Sequence, residues 1–125
     1  MITPESKKLA EQLAAVTRFA LGGVGIVGQT SAGEQLTLEL SRRPDAAEAF
    51  DWLADNAGPV ARLYAHWALR TLAPDRAEAL AVVLRADTSE IETMSGCILL
   101  RDRVGSIVER IGRTGDVYGR KLPRP

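Results

Sequence analysis

The sequence predicts a mostly α-helical protein, a compact antiparallel bundle of five or six short helices with room for a small β-hairpin near residues 91–100. Three observations lead to this class. Hydrophobic residues make up 46% of the chain but aromatic residues only 5%, a balance that favours helices packed through small side chains. Apolar residues recur at spacings of three and four, and proline with acidic residues stands at several helix starts.

The chain has 125 residues, enough for one domain and too few for two ordinary ones. We expect a single helical domain over residues 1–112 and a flexible basic tail over 113–125, because the last segment has no hydrophobic periodicity. The single cysteine excludes an intrachain disulfide. Polar residues interrupt every apolar run before the roughly 18 residues of a membrane span. These features predict a cytoplasmic protein that does not enter the membrane.

The first helix is predicted to begin after Thr3, whose hydroxyl is a suitable N-cap, with Pro4 at the first helical position. Gly22 and Gly23 are predicted to end it. The apolar residues between these limits fall on one helical stripe: Leu9, Leu13, Val16 and Ala20.

The segment 22–33 contains five glycines, too many for a helix interior. Ser31 and Glu34 have the spacing of a capping box and predict a short second helix towards Arg43. Leucines at 36, 38 and 40 alternate with polar residues, which is also typical of a strand. The pattern of residues 34–43 is therefore compatible with a helix or a strand. The capping box together with Pro44 favours the helix.

Three further helices are predicted in the middle of the chain. Asp45 and Glu48 form another apparent capping box, which starts a third helix. Gly58-Pro59 separates this helix from a fourth, which runs to about residue 73. Pro74-Asp75 then starts a fifth, which runs to about residue 86.

The two Pro-Asp starts belong to similar segments. Residues 44–50 and 74–80 share five identities in seven positions at an offset of thirty residues, which is the size of a helix-turn-helix unit. The alternative is that both segments use generic helix-start chemistry. With the Ala- and Leu-rich stretch 59–75, the region 44–86 resembles the helical repeats of HEAT-like and armadillo-like proteins. This resemblance implies stacked antiparallel helices and a role in binding.

The last third of the chain has a different pattern. Two short apolar-rich runs over 91–100 are joined by Ser-Gly and predict a small hairpin or an extended buried connection. Asp102 is predicted to cap a last helix that ends at Gly112. Its buried stripe is Val104, Ile107, Val108 and Ile111. The segment 93–98, together with the Leu-Tyr-Ala segment at 63–65, resembles small bacterial proteins of unknown function, which implies a shared fold and no activity.

Two features of the sequence are weak candidates for chemistry. The glycines of 23–28 match a dinucleotide-binding loop, but a helix precedes them and Gln29 stands where a phosphate-binding loop has lysine, so no cofactor is expected. Cys97 is predicted to be a small buried apolar side chain, with a reactive thiol as the alternative. One cysteine and one histidine cannot supply the usual ligands of a metal site.

The best candidate for a functional surface is one side of the fourth helix, where Arg62, His66 and Arg70 lie in register. These groups would bind a carboxylate-rich partner, and Trp52, which lies off the apolar stripe of its own helix, would add an aromatic anchor. In the alternative, Trp52 packs inside, His66 fills space, and the arginines pair with acidic residues of adjoining helices: Asp51, Asp55 or Glu78.

These observations predict a non-enzymatic protein-interaction module, namely an adaptor, an inhibitor or an immunity-type factor, that binds a protein partner through exposed helix faces. The partner-binding residues would be Trp52, Arg62, His66 and Arg70. No catalytic constellation, cofactor or metal is expected.

Two alternatives depend on other parts of the chain. Sixteen basic and sixteen acidic residues give no net charge, which excludes a general attraction to nucleic acid. The C-terminal end is nevertheless basic, and the first alternative is a nucleic-acid-associated accessory protein that uses it, weakly supported because only Tyr118 offers a stacking ring there. The basic residues are Arg113, Arg120, Lys121 and Arg124. The second alternative is a small enzyme that uses Cys97.

Overall fold

The computed structural model of the chain describes residues 2–21, 23–24, 29–95 and 97–114. The helices in these ranges are α1 (Pro4–Ala14), α2 (Ala32–Ser41), α3 (Ala46–Asn56), α4 (Pro59–Leu72), α5 (Pro74–Arg85) and α6 (Val104–Thr114). The strands are β1 (Arg18–Phe19), β2 (Gly23–Val24), β3 (Gln29–Thr30), β4 (Glu90–Ser95) and β5 (Ile98–Arg103). The predicted class, a mostly helical protein with a hairpin near 91–100, is confirmed.

Helix α4 is the centre of the fold. It contacts each of the other helices and also β1. Residues on all sides of α4 are buried, including Ala61, Tyr64, Trp67 and Leu69, as expected for a helix surrounded by other elements. Trp67 and Tyr64 are the largest of its fully buried side chains. The hydrophobic core is therefore built around this helix.

A small sheet lies beside the helices. β1 pairs with β4 in parallel, and β4 pairs with β5 in antiparallel orientation, so the strand order is β1-β4-β5. The two residues of β1 align with Glu92 and Thr93 of β4. β2 and β3 form a separate antiparallel pair. The hairpin was predicted, whereas β1, β2 and β3 were not.

Two of the predicted N-caps are formed as expected. The Thr3 side-chain oxygen accepts a hydrogen bond from the Ser6 backbone N–H at 3.3 Å. The Ser31 oxygen accepts one from the Glu34 N–H at 3.1 Å. Residues 32–41 are therefore helical, and the strand alternative for this segment is wrong.

Asp45 has a different role from the predicted one. Its side chain makes no capping hydrogen bond to α3. Instead its carboxylate accepts hydrogen bonds from the Thr3 N–H at 2.8 Å and the Ser6 hydroxyl at 2.5 Å, both at the start of α1. These bonds hold the pKa of Asp45 below its usual value, the Ser6 bond most strongly. Asp45 therefore joins two helix starts.

The first helix is shorter than predicted. It ends at Ala14 rather than at the glycine pair, and residues 18–19 form β1. Phe19 is fully buried, with its ring centroid 4.6 Å from that of Tyr64. Pairing with β4 and burial of this ring replace the helix that local periodicity indicated, because tertiary contacts override propensity.

The two Pro-Asp starts differ in structure. Pro74 is the first residue of α5, whereas Pro44 stands in a turn before α3, which begins at Ala46. The repeat relationship and the resemblance to HEAT-like proteins stay predictions.

The last helix extends beyond its predicted end. Helix α6 buries the predicted stripe, but it continues past Gly112 to Thr114 and begins at Val104, two residues after Asp102. The predicted boundary between the helical domain and the tail, at residue 112, therefore falls inside α6. The predicted flexible tail lies outside the described residues from 115 onwards. Among the helices described, none is long and apolar enough to cross a membrane.

Candidate functional site

Strand β5 exposes three consecutive large apolar residues. Ile98, Leu99 and Leu100 are 63%, 52% and 49% exposed. Their cross-strand neighbours on β4 are Ser95, Met94 and Thr93, respectively. Because successive residues of a strand point to opposite faces, both faces of β5 present apolar groups to solvent. Exposed apolar residues are common singly, but a contiguous group of them is typical of an interaction site.

The outer edge of β5 offers backbone groups. β4 lies between β1 and β5, so this edge has no partner strand among the residues described. Ser95 and Ile98 close a two-residue hairpin loop, and such a closing pair exchanges both of its backbone hydrogen bonds. The alternation of the ladder then directs the N–H and C=O groups of Leu99 and Arg101 away from β4.

The base of the hairpin is held against α5 and α6. The Asp87 carboxylate accepts a hydrogen bond from the Ser89 N–H at 2.8 Å, and the hydrogen bonds from Ser89 hold the pKa of Asp87 below its usual value. The Val104 N–H donates to the Ser89 carbonyl at 3.0 Å. A Cβ at Gly105 would lie only 2.6 Å from the Arg85 carbonyl oxygen. Only glycine allows α6 to start this close to the end of α5.

Charged residues follow the apolar run on β5. The Arg101 guanidinium lies 3.6 Å from the Glu90 carboxylate, and both side chains are more than half exposed. Asp102 pairs with Arg110 of α6. Arg103 is exposed, and its backbone N–H donates to the Asp102 carboxylate at 3.0 Å. The strand therefore presents an apolar half followed by a half with two exposed arginines.

The predicted cationic face of α4 is not an exposed surface. His66 is only 4% exposed. Burial, with the charges of Arg70 and Arg85 as further causes, lowers the pKa of His66 to about 4, so its imidazole is neutral at pH 7. The expectation that His66 contributes a positive charge to an exposed face is therefore wrong, because its imidazole is almost fully buried.

The arginines of α4 bind backbone carbonyls. Arg62 Nε donates to the Ala54 carbonyl at 2.9 Å, and Arg70 Nη1 donates to the Ile111 carbonyl at 2.6 Å. Two of the three acidic residues considered as their partners pair with other arginines: Asp51 with Arg76 at 2.9 Å and Glu78 with Arg85 at 3.5 Å. Burial raises the pKa of Asp51, and Arg76 opposes this effect.

Trp52 and Cys97 also differ from the first expectations. Trp52 is half-buried and packs against the hydrophobic core, with the Lys7 ammonium 5.7 Å from its ring centroid.

Cys97 was predicted to be buried and is exposed at the hairpin turn. The apolar sequence of 97–100 suggested burial, but all four residues are exposed.

The remaining predicted features lie partly outside the described residues. Gly23-Val24 pairs with Gln29-Thr30, whereas residues 25–28 of the glycine motif are not among those described. Arg113 belongs to α6 by its backbone, and Arg120, Lys121 and Arg124 lie outside the described ranges. Within the described part of the chain, no group of three or more His, Cys, Asp or Glu residues could hold a metal ion.

Comparison with known proteins gives no relative. No family model, curated protein or solved structure matches the chain.

The apolar edge of β5 was missed by the sequence interpretation, although the sequence carries a signal for it. A strand that packs one face on a core alternates apolar and polar residues, whereas Ile98, Leu99 and Leu100 are consecutive. Such a run indicates either a strand that is buried on both faces within the fold or a strand whose apolar residues are covered by a binding partner.

Proposed function

We propose that the protein is a non-enzymatic protein-interaction module, an adaptor, inhibitor or immunity-type factor, that binds an extended segment of a partner protein along the outer edge of β5. The observation that supports this proposal is the exposed run Ile98–Leu100 on a strand whose outer edge is unpaired among the described residues. This surface replaces the face of α4 that the sequence suggested. Binding of a protein through that face would require an accessible His66 side chain, and His66 is buried.

Addition of a strand uses both features of this edge. Backbone hydrogen bonds from Leu99 and Arg101 would hold the incoming segment, and its side chains would cover the apolar residues on either face of β5. The hydrophobic contribution would come from water excluded around Ile98, Leu99 and Leu100. Neither contribution needs a rearrangement of the helical core.

The charges of β5 define the chemistry of the partner segment. It would have apolar residues beside Ile98–Leu100 and acidic residues beside Arg101 and Arg103, since opposite charges across a strand pair are stabilising. The ion pair of Arg101 with Glu90 is long and exposed, and a carboxylate of the partner would supplement it. An extended segment with an apolar half and an acidic half therefore matches the edge.

A second copy of the chain fits this edge less well. In an antiparallel pair, the outward-directed residues of one strand lie opposite those of the other. Two copies with Leu99 opposite Leu99 would pair over Ile98–Leu100 alone. Longer overlaps would place Leu99 opposite Arg101, or two Arg101 side chains opposite each other, and like charges in that position are destabilising.

Fluorescence anisotropy tests the proposal. The probe is a short labelled peptide with a β-branched apolar half and a glutamate-rich half. We expect saturable binding to the wild-type protein and loss of binding for Leu99→Pro, which removes an outward N–H and leaves the β4–β5 hydrogen bonds in place. Leu99→Asp is a second variant, because it keeps the N–H and removes the apolar side chain.

Val82→Asp is the matched control. Val82 is a large apolar residue that is 62% exposed on α5 rather than on the sheet edge, so the variant should bind the peptide as the wild type does. Circular dichroism confirms that each variant is folded. Peptide binding that survives both Leu99 variants, or a wild-type protein that does not bind, would contradict the proposal. Sedimentation that shows a dimer dissociated by Leu99→Pro would assign the edge to a second copy instead.

A further inference from the structure

A second feature lies away from the hairpin, where helices α4, α5 and α6 line an open cavity of about 300 Å³. Its polar wall is formed by His66 and Arg70 of α4 and by Glu78 and Arg85 of α5. The rest of the wall is mostly small and apolar and includes Ala77, Ala81 and Val108. This volume is at the lower end of the range for small-molecule sites in proteins.

The cavity has more cationic than anionic groups among its described lining residues. Arg70 and Arg85 each carry a positive charge, and Glu78 offsets one of them through its 3.5 Å pair with Arg85. Arg70 already donates to the Ile111 carbonyl at 2.6 Å, but a guanidinium has five N–H donors. Each guanidinium therefore has more N–H donors than these contacts use. One positive charge is left over among the described lining residues.

His66 adds a neutral polar group to this wall. It is 4% exposed, and its Nδ1 atom has no hydrogen-bond partner within the described part of the chain. Burial of an unpartnered polar atom is unfavourable and is unusual in folded proteins. Such a group beside two arginines in a cavity is typical of a binding site rather than of a region kept only for packing.

We propose that this cavity binds a small monocarboxylate, with the carboxylate held between Arg70 and Arg85 and the apolar part placed against Ala77, Ala81 and Val108. Planar guanidinium groups match a carboxylate through paired hydrogen bonds. The single unbalanced positive charge matches a monoanion, whereas a phosphate dianion would bring a second negative charge close to Glu78. The small apolar residues leave room for a short hydrocarbon body beside the charged groups.

The only histidine of the chain provides a direct measurement, provided that the protein carries no histidine tag. We expect sodium butyrate, added at pH 7, to shift the imidazole ring proton signals of His66 in a saturable way. Butyramide, which has the same shape and no charge, should not shift them. Inorganic phosphate should shift them only at much higher concentration.

Two arginine variants on the same helix separate specific binding from a general effect. Arg85→Gln should weaken butyrate binding by about tenfold, because it removes a charge-assisted hydrogen bond. Arg76→Gln is the control: Arg76 is on α5 and pairs with Asp51, and it is not among the cavity residues. Both side chains are about half exposed, so neither change should unfold the protein.

Three results would overturn the inference. The first is that the His66 signals do not respond to butyrate. The second is that butyramide or phosphate produces the same saturable shift as butyrate. The third is that Arg85→Gln and Arg76→Gln bind butyrate equally well.

Discussion

Gly33 on α2 lies so close to the ring of Tyr64 on α4 that no side chain fits between them: a Cβ at position 33 would overlap the ring carbons and the hydroxyl oxygen of Tyr64. The Tyr64 hydroxyl in turn accepts a hydrogen bond from the Ala20 N–H at 2.8 Å, just after β1. The contact between Gly33 and Tyr64 therefore sets the position of α2 on the central helix and brings the end of β1 to the same place.

Gly33→Ala should destabilise the protein by about 2 kcal/mol, because the added methyl group forces the fully buried Tyr64 ring or helix α2 to move. The measurement is the free energy of unfolding from urea denaturation. Gly112→Ala is the matched control, since a Cβ at Gly112 has no atom within 4 Å. A helical Gly→Ala change at that exposed position should stabilise the protein by up to about 1 kcal/mol. Equal effects of the two substitutions would refute the close contact.

The protein should lose stability on mild acidification because of His66. In the folded state its pKa is lowered from 6.5 to about 4, so the unfolded chain takes up a proton first as the pH falls. The contribution of His66 to stability is therefore complete above pH 6.5 and is lost as the pH falls towards 4. The total loss is about 3 kcal/mol.

His66→Leu isolates this effect. The variant lacks the titrating group, so its free energy of unfolding should change less between pH 6.5 and 4 than that of the wild type. The difference between the two proteins removes the contribution of carboxylates, which also titrate near the lower limit. If wild type and variant lose the same free energy over this range, His66 is not buried as a neutral group.

Substitution of Trp52 should affect mainly the stability of the folded protein. Its ring is half-buried against the core, so Trp52→Ala should cost about 2 kcal/mol, less than the full burial of a tryptophan would give. Lys7→Gln, which removes only the cation near the ring, should cost no more than about 1 kcal/mol. Urea denaturation measures both values. Trp52→Ala should also leave binding of the β5 peptide probe unchanged, and a loss of binding without a loss of stability would restore Trp52 as an interface residue.

The elements that the sequence predicted are those that depend on neighbouring residues. The N-caps of α1 and α2 need only Thr3 and Ser31 with the following N–H groups, and the stripe of α6 repeats within one segment. The hairpin likewise depends on a short connection between two adjacent apolar-rich runs. Such signals are present in the local sequence, so they can be read without knowledge of the rest of the fold.

The elements that were missed depend on distant parts of the chain. Residues around Val16 and Ala20 continue a helical pattern, and β1 is favoured there only because β4 is available as its partner. The burial of His66 has the same cause. Helical projection placed it opposite the core, but Ala65 and Leu69, which are also fully buried, lie beside it on α4. Apolar residues on both sides of one helix were the signal that it is surrounded.

The pairing of β1 with β4 limits the stage of protein synthesis at which β1 can fold. Arg18 of β1 and Glu92 of β4, whose side chains bond at 3.1 Å, are 74 residues apart. At common rates of translation the ribosome needs roughly 4 to 15 s to make that length of chain. During this interval Phe19 and its neighbours have no strand to join, so β1 can pair only after β4 has been synthesised. A nascent chain that stops before residue 90 would therefore expose this segment to chaperones and proteases.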